Sequence, residues 1–386
     1  MATTQAGPAK ARVCLDVSAA VHRRAGLGRY AHQLIAALVD QAAHDYVAFY
    51  HRRGAAHLIP PIDRLPRLTT SLDVRPWRLR TALAYFIGPG QDSLFPGVDV
   101  FHAAEHLLPR LRRARSVFTL HDLIFQFDPG SHRPLNIAFL KTMMPRFLRA
   151  ADAIIAVSEC SKRDAVRLYG APPDKIRVIY EGVDPRFQPI SNPDSLAAVR
   201  RNYSLPDRFI LHVGTIEPRK NLPLLFEALS SLNTGDCSLV IAGKKGWLYE
   251  PIFAKLRELG LQDRVHFTDF VPDEDLPALL SAATVLAMPS KYEGFGLPVL
   301  EAMACGTPVI ASNVSSLPEI GGDAALYAPP DDARAWIGLI DRALTDAPLC
   351  AEMREKGLRR AAQFRWDVAA RQTAEIYAQV ARDLKR

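Results

Sequence analysis

Short, almost wholly apolar runs, each closing on a loop and followed by a helical stretch, recur along this chain in two successive series. The first comprises residues 12–17, 46–50, 98–102, 116–120, 152–157 and 175–180; the second comprises 209–213, 238–242, 265–267, 284–288 and 308–311. Runs this short and this apolar suit strands buried on both faces, and intervening helices supply the crossovers that parallel strands need. Each series therefore predicts an α/β fold with one doubly wound parallel sheet. Proline, asparagine and serine accumulate between the series, over 188–206, and read as a linker. At 386 residues the chain is long enough for two domains, each burying its own core. Two such domains would leave a cleft between the carboxyl ends of their strands.

Composition narrows the function classes. A hydrophobic content of 48% with 23% charged residues reads as soluble and globular. No apolar run approaches the roughly 20 residues of a spanning helix; the longest, 276–290, is broken by Pro277 and Pro289. Residues 1–10 are small and polar, a loose tail without the apolar core of a signal peptide. Five well-separated cysteines, with no C-x-x-C pair, point to a reducing cytoplasm and away from zinc. The charge is lopsided: residues 1–190 hold 26 Lys and Arg against 16 Asp and Glu, whereas 191–386 hold 22 against 25. Arginines cluster at Arg23, Arg24 and Arg29, at Arg75, Arg78 and Arg80, and at Arg110, Arg112, Arg113 and Arg115. That pattern fits a solvated basic face, or docking to anionic lipid headgroups or an anionic acceptor. No recognition motif accompanies it, so nucleic acid is not expected as a partner.

Candidate site residues fall at the ends of the strands. After 12–17 comes A-G-L-G-R-Y, with Gly26 and Gly28, leading into a helix over 29–39. The third glycine of a dinucleotide fingerprint is missing, and the run 46–50 is followed by His51, Arg52 and Arg53 in place of an acid, which argues against an oxidoreductase. Residues 116–120 run directly into His121 and Asp122, at the strand end where open α/β sheets place ligand-contacting groups, with Asp122 positioned to orient the imidazole. In the second series, the loop from Gly214 to Asn221 carries Arg219 and Lys220 immediately before a helix, a place suited to a diphosphate. Lys244, between glycines after 238–242, either lines the same pocket or belongs to a plain turn. Most informative is the stretch from Met288 to Ala311. There a loop with Glu293, Gly294, Phe295, Gly296 and Leu297 enters a helix predicted over 299–304, with Glu301 in its first turn. Asp273, Glu274 and Asp275 have the D-x-D spacing of a cation site, but their place before a helix over 276–282 reads better as first-turn acids and a cap, so no metal is expected.

Several strings together resemble the retaining glycosyltransferases of family 4, also called glycosyltransferase group 1, with bacterial mannosyltransferases nearest in look. They are E-G-F-G-L-P-V-L-E with A-M-A-C-G-T-P-V-I-A, G-T-I-E-P-R-K-N, T-L-H-D-L, and A-D-A-I-I-A-V-S-E-C-S-K with E-G-V-D. The likeness covers nearly the whole chain, most strongly 209–320 and more loosely before Pro96. It implies the GT-B fold: an acceptor-side Rossmann-like domain, 1–188, completed by a C-terminal helix, 366–386, and a donor-binding Rossmann-like domain, 189–365, facing it across a cleft. It implies transfer of a hexose from a nucleotide sugar, with no metal or other cofactor. By the same resemblance Glu301 holds the ribose hydroxyls, Glu293 holds hydroxyls of the donor sugar, and His121 stands near the reacting sugar. Gly26 and Gly28 approach the diphosphate and acceptor, while Gly214 opens the diphosphate-contacting segment. Arg219, Lys220 and the Gly294–Leu297 amides stabilise the departing phosphate. Many members write asparagine where Glu181 stands. GDP-mannose is the first-choice donor, with UDP-glucose and other UDP-sugars next. The acceptor expected is a glycan or lipid-linked glycan, with a soluble sugar as the alternative. The enzyme is expected in the cytoplasm, with peripheral attachment to the inner face of the plasma membrane as a further expectation. A non-catalytic sugar-nucleotide-binding protein of this fold would be expected to have lost a catalytic residue, and all are present.

Overall fold

The computed structural model describes residues 10–22, 25–51, 57–131, 133–232 and 236–384. The N-terminal tail and the arginines at 23, 24, 52 and 53 lie outside the described residues. The chain divides into two compact units: residues 1–123, 134–182 and 365–386 form one, and 124–133 with 183–364 form the other.

The first unit is built on seven parallel strands: β1 (Arg12–Asp16), β2 (Asp45–His51), β3 (Arg67–Thr70), β4 (Val100–Ala103), β5 (Arg115–Leu120), β6 (Ala153–Ala156) and β7 (Ile176–Val178), in the order β3-β2-β1-β4-β5-β6-β7. The second has six: β8 (Phe209–Val213), β9 (Ser238–Ala242), β10 (Val265–Asp269), β11 (Val285–Met288), β12 (Val309–Ser312) and β13 (Leu326–Ala328), in the order β10-β9-β8-β11-β12-β13. Their central strands, such as Val-Leu-Ala-Met in β11, are buried throughout because helices cover both faces. In each sheet the order reverses beside the first strand of the unit, between β1 and β4 and between β8 and β11. The crevice at such a reversal is where open α/β sheets bind ligands.

The unit limits differ from the expected 188/189 and 365/366 boundaries. Segment 124–133 groups with the second unit, and there Phe127 stacks on Tyr292 with ring centroids 5.0 Å apart. The expected linker contains a helix, Pro193–Asn202, with Asn192 capping it by accepting from Asp194 and Ser195 N–H at 2.9 and 3.1 Å. Proline at the first helical position is compatible with this start, so the proline-rich composition misleads there. The helix Trp366–Leu384 belongs to the first unit, packing on the helix Ala25–Gln41. Its Tyr377 hydroxyl lies 2.6 Å from His102 Nδ1 on β4, and its Ala374 carbonyl 3.0 Å from His44 Nε2. Tyr377 is fully buried and anchors that face, whereas Leu384 at the helix end is exposed.

Gly26 and Gly28 are not loop residues. Both lie in the first turn of the helix Ala25–Gln41, and they do different things there. A Cβ on Gly28 would lie 2.8 Å from the Ala19 carbonyl oxygen, so the helix can approach the turn Ser18–Val21 only without a side chain; a Cβ on Gly26 would meet nothing within 4 Å. Gly28→Ala should therefore destabilise the protein by roughly 1–3 kcal/mol, the usual range for overpacking, whereas Gly26→Ala should stabilise it by up to about 1 kcal/mol through helix propensity. Thermal melts of the two variants test this; equal shifts would refute the packing assignment.

Candidate active site

In the second unit, the loops leaving β8 and β11 converge at the point where strand order reverses. The β8 loop ends in a short 3-10 turn, Pro218–Lys220, and the β11 loop carries Glu293. Lys220 Nζ lies 2.6 Å from Glu293 Oε1, and Arg219 Nη1 lies 2.7 Å from Glu293 Oε2. Arg219 also reaches back to Glu217 Oε1, through Nη2 at 2.6 Å and Nε at 2.9 Å, and donates from Nη1 to the Tyr292 carbonyl at 2.9 Å. The Lys291 N–H donates to the Arg219 carbonyl at 2.9 Å, so backbone as well as side chains joins the loops.

The cluster balances two cations against two carboxylates. Glu217, Lys220 and Glu293 are buried, and an unmatched charge there would be costly. Burial acts to raise the Glu293 pKa, but Arg219 and Lys220 overcome it and bring the carboxyl down to about 2. Glu293 is therefore ionised and can only accept hydrogen bonds. Each of its oxygens meets one cation, and the Ser290 side chain beside the carboxylate also acts to lower its pKa. Burial, followed by the charge of Arg219, lowers the Lys220 pKa. Beneath the loop His212 is buried, its Nδ1 on the Ala287 carbonyl at 3.0 Å and its Nε2 without a hydrogen-bond partner. Gly214 fits between these groups, since a Cβ there would stand 3.2 Å from Lys220 Cε and 3.3 Å from His212 Nε2.

Gly294 to Gly296 lead into the helix Leu297–Ala304, with Gly296 at its N-cap at φ 111°, a conformation open to glycine and strained for other residues. The Ser316 hydroxyl fixes this loop, lying 2.7 Å from the Phe295 carbonyl and 3.0 Å from that of Glu293. Ser315 Oγ accepts from the Glu293 N–H at 2.9 Å. Because the helix starts at Leu297, Glu301 is its fifth residue and stands beyond the first turn, buried against the unit. The thiol of Cys305 nearby is pushed up to about 12 by burial and by the Glu301 charge. Lys244 stands at the carboxyl end of β9 with its ammonium 4.6 Å from the Phe270 ring centroid. The D-x-D acids are occupied elsewhere: Asp275 Oδ2 accepts from the Tyr203 hydroxyl at 2.6 Å and makes no cap, and Asp273 lies 3.8 Å from Arg186.

His121 belongs to the first unit, where β5 ends beside β4. Its Nε2–H donates to the Ala104 carbonyl at 2.9 Å, and Nδ1 stands 3.9 Å from Glu181 Oε1. Tyr30 packs edge-on against the ring at 4.7 Å, and its hydroxyl lies 3.0 Å from Thr119 Oγ1. Burial, and then the neighbouring His106, lower the His121 pKa to about 4. The imidazole is thus neutral at pH 7, with Nδ1 as its acceptor, and 3.9 Å to Glu181 is too long for a hydrogen bond. The Ala104 carbonyl makes an orienting hydrogen bond to the ring, and the Asp122 charge acts on it as well. Glu181 and Tyr30 were not singled out for this site by sequence; the only signals were the E-G-V-D departure and the tyrosine ending G-R-Y. Glu217 stood within G-T-I-E-P-R-K-N without an assigned partner, and Ser316 gave no signal at all.

Comparison of the whole fold defines the class of protein. Sucrose-phosphate synthase from Thermosynechococcus elongatus aligns over 96% of this chain and 99% of its own with a TM-score of 0.77 at 23% identity. Anabaena HepE, solved in complex with UDP and glucose, aligns over 95% and 99% with a TM-score of 0.75 at 19% identity. This is the GT-B fold of glycosyltransferases. Sequence comparison narrows the class. The Glycosyltransferase Family 4 profile matches residues 24–187, and the Glycosyl transferases group 1 profile matches 199–360. O-antigen chain mannosyltransferase B of Escherichia coli is 31% identical over 371 residues, covering 91% of this chain and 95% of that protein. Serotype-specific mannosyltransferase WbdA of Escherichia coli is 34% identical over 263 residues, 65% of this chain and 32% of that longer protein. The chain belongs to glycosyltransferase family 4 and is a hexosyltransferase.

Proposed function

We propose that this enzyme moves a hexose, with mannose the first choice, from a nucleoside-diphosphate sugar to a glycan or lipid-linked acceptor, with retention at the anomeric carbon and without a metal ion. The observation that carries the reading is the buried Glu217–Arg219–Lys220–Glu293 cluster at the strand-order reversal of the second unit. As an ionised acceptor, Glu293 suits the hydroxyls of a donor sugar. Lys220 has three N–H donors, of which one serves Glu293, so its ammonium can meet a phosphate without leaving the carboxylate. Glu301 is assigned to the ribose hydroxyls, and the amides from Gly294 to Leu297 to the diphosphate at the helix start.

In the proposed step the bond from the anomeric carbon to the β-phosphate oxygen breaks, and its electron pair stays on the phosphate. The acceptor hydroxyl oxygen bonds to the same face of that carbon, and its proton passes to the phosphate oxygen just released. Fixed donors aimed at the phosphate stabilise the growing charge and need no reorganisation during the step. With its pKa near 4, His121 is a poor general base near neutral pH and is assigned a hydrogen-bond acceptor role toward a sugar hydroxyl. Mannose is favoured by the mannosyltransferases among the relatives, and GDP is proposed as its carrier. The five cysteines are all unpaired thiols, which supports a reducing cytoplasmic setting.

Thermal stabilisation by GDP, UDP and ADP, each with and without magnesium, tests the proposal. GDP at a hundred times its dissociation constant should stabilise the fold by about 2.7 kcal/mol, unchanged by magnesium. A shift with UDP alone would replace mannose by a UDP-sugar. A shift that requires magnesium would overturn the role given to Arg219 and Lys220, and no shift with any nucleotide would overturn the donor site itself.

A further inference from the structure

The helix Val74–Phe86 of the first unit presents two opposite faces. Trp77, Thr81 and Ala84 are buried under it, while Leu79, Leu83, Phe86 and the adjoining Ile87 are 61%, 47%, 52% and 85% exposed. At 100° per residue these four form one continuous outward stripe, flanked by Arg75 on one side and Arg80 on the other. The neighbouring helix Pro134–Ala150 extends the surface with Leu135, 87% exposed, and with Arg146 and Arg149. Direct contacts hold the pieces together: Arg78 Nη2 donates to Asn136 Oδ1 at 2.8 Å, and the Arg146 guanidinium lies 4.4 Å from the Phe86 ring centroid. Arg110 Nη1 donates to the Ala84 carbonyl at 2.7 Å, which brings the exposed Arg112 and Arg113 alongside. Neither helix contains an aspartate or glutamate.

We infer that this face docks on an anionic lipid bilayer, with the apolar stripe entering the headgroup boundary and the arginines pairing with lipid phosphates. Large exposed apolar side chains in a row are unusual on a monomer's surface. Asp92, which accepts from the Arg112 and Arg113 N–H groups, and Asp73, at the N-cap of the first helix, are the acids beside this surface, and the cations on it outnumber them, which repels a basic partner and suits a negatively charged sheet of headgroups. The inference stands apart from the donor reading, since its test uses no nucleotide sugar.

Co-sedimentation of the full chain with vesicles of phosphatidylcholine alone, and of phosphatidylcholine mixed with phosphatidylglycerol, reads it out. The native chain should sediment with the mixed vesicles and be released by salt. Arg75→Gln with Arg80→Gln should weaken binding about 25-fold, from roughly fivefold per charge near the surface. Leu83→Ser with Phe86→Ser should weaken it at least tenfold. Because these side chains are exposed, melting temperatures should stay native, which separates lost docking from lost folding. Equal binding to both vesicle types, or undiminished binding by both double variants, would overturn the inference. So would sedimentation equilibrium showing a dimer that Phe86→Ser dissociates, since the face would then belong to a second copy.

Discussion

Glu293→Gln should cost the second unit about 3–5 kcal/mol of unfolding free energy, the range for breaking a buried ion pair from one side. The carboxylate faces both Arg219 and Lys220 at 2.7 and 2.6 Å, so its removal leaves the pocket with two cations and only Glu217. The amide keeps the shape of the side chain and removes the charge, which makes the loss electrostatic. Replacing Lys220 by methionine in the same chain should restore part of the stability, because the remaining Arg219 and Glu217 then balance; a double-mutant cycle would report this as a coupling of opposite sign to the single losses. The functional effect separates in the same variant. If Glu293 serves the sugar and Glu301 the ribose, Glu293→Gln should lower kcat/KM for the nucleotide sugar while stabilisation by free nucleotide stays within a few-fold. Glu301→Gln should weaken stabilisation by the nucleotide itself. Calorimetric unfolding with and without nucleotide measures both. A Glu293→Gln enzyme that melts within about 1 kcal/mol of native and turns over normally would remove the cluster from both roles.

Sequence patterning located the central strands because they are buried on both faces and leave an unbroken apolar run. Of the four edge strands, β7 and β10 keep enough of that signature to be read, and β3 and β13 do not. β3, Arg-Leu-Thr-Thr, is half exposed and sits in a proline- and arginine-rich segment, and β13 is only three residues long. The charged motifs showed which groups are present and at which strand ends, but not which of them pair. Arg219 and Lys220 read as a positive patch awaiting phosphate, and the fold makes them half of a neutral quartet with Glu217 and Glu293. Glu217 shares their loop, but Glu293 stands in another, and only the adjacency of β8 and β11, which are distant in sequence, brings it to them. The same holds for His121, whose orientation depends on a backbone carbonyl that no side-chain pattern encodes. Gly26 and Gly28 looked alike in sequence and differ only through the Ala19 carbonyl that packs against one of them.

Acidification should destabilise the protein well before its carboxylates titrate. His102, His121 and His212 are buried and held neutral: burial, with His121 beside it, brings His102 to about 3, and burial, with Lys220 beside it, brings His212 to about 4, matching His121. In the unfolded chain each takes up a proton below about 6.5. The folded state therefore binds fewer protons between pH 6.5 and 4, and its stability is present above that window and lost as pH falls through it. Each histidine contributes about 1.4 kcal/mol per pH unit, so the three together should cost roughly 4 kcal/mol between neutral pH and pH 5.5. Glu293, depressed to about 2, adds a loss of the same sign only below about pH 4.5. Two of the three histidines lie in the first unit, so calorimetry at pH 7.5 and 5.5 should show that unit losing about twice as much as the second. His102→Asn should reduce the slope by one proton, and a first unit whose melting is flat across the window would refute the buried neutral histidines. Turnover should behave differently from stability. If His121 acts as an acceptor through Nδ1, kcat/KM should hold its neutral value from pH 7 down to about 5 in the fraction that remains folded, because the ring stays unprotonated there. A fall centred near 6.5 would mean that His121 titrates as an exposed histidine, and the hydrogen-bonding role built on its burial would be lost.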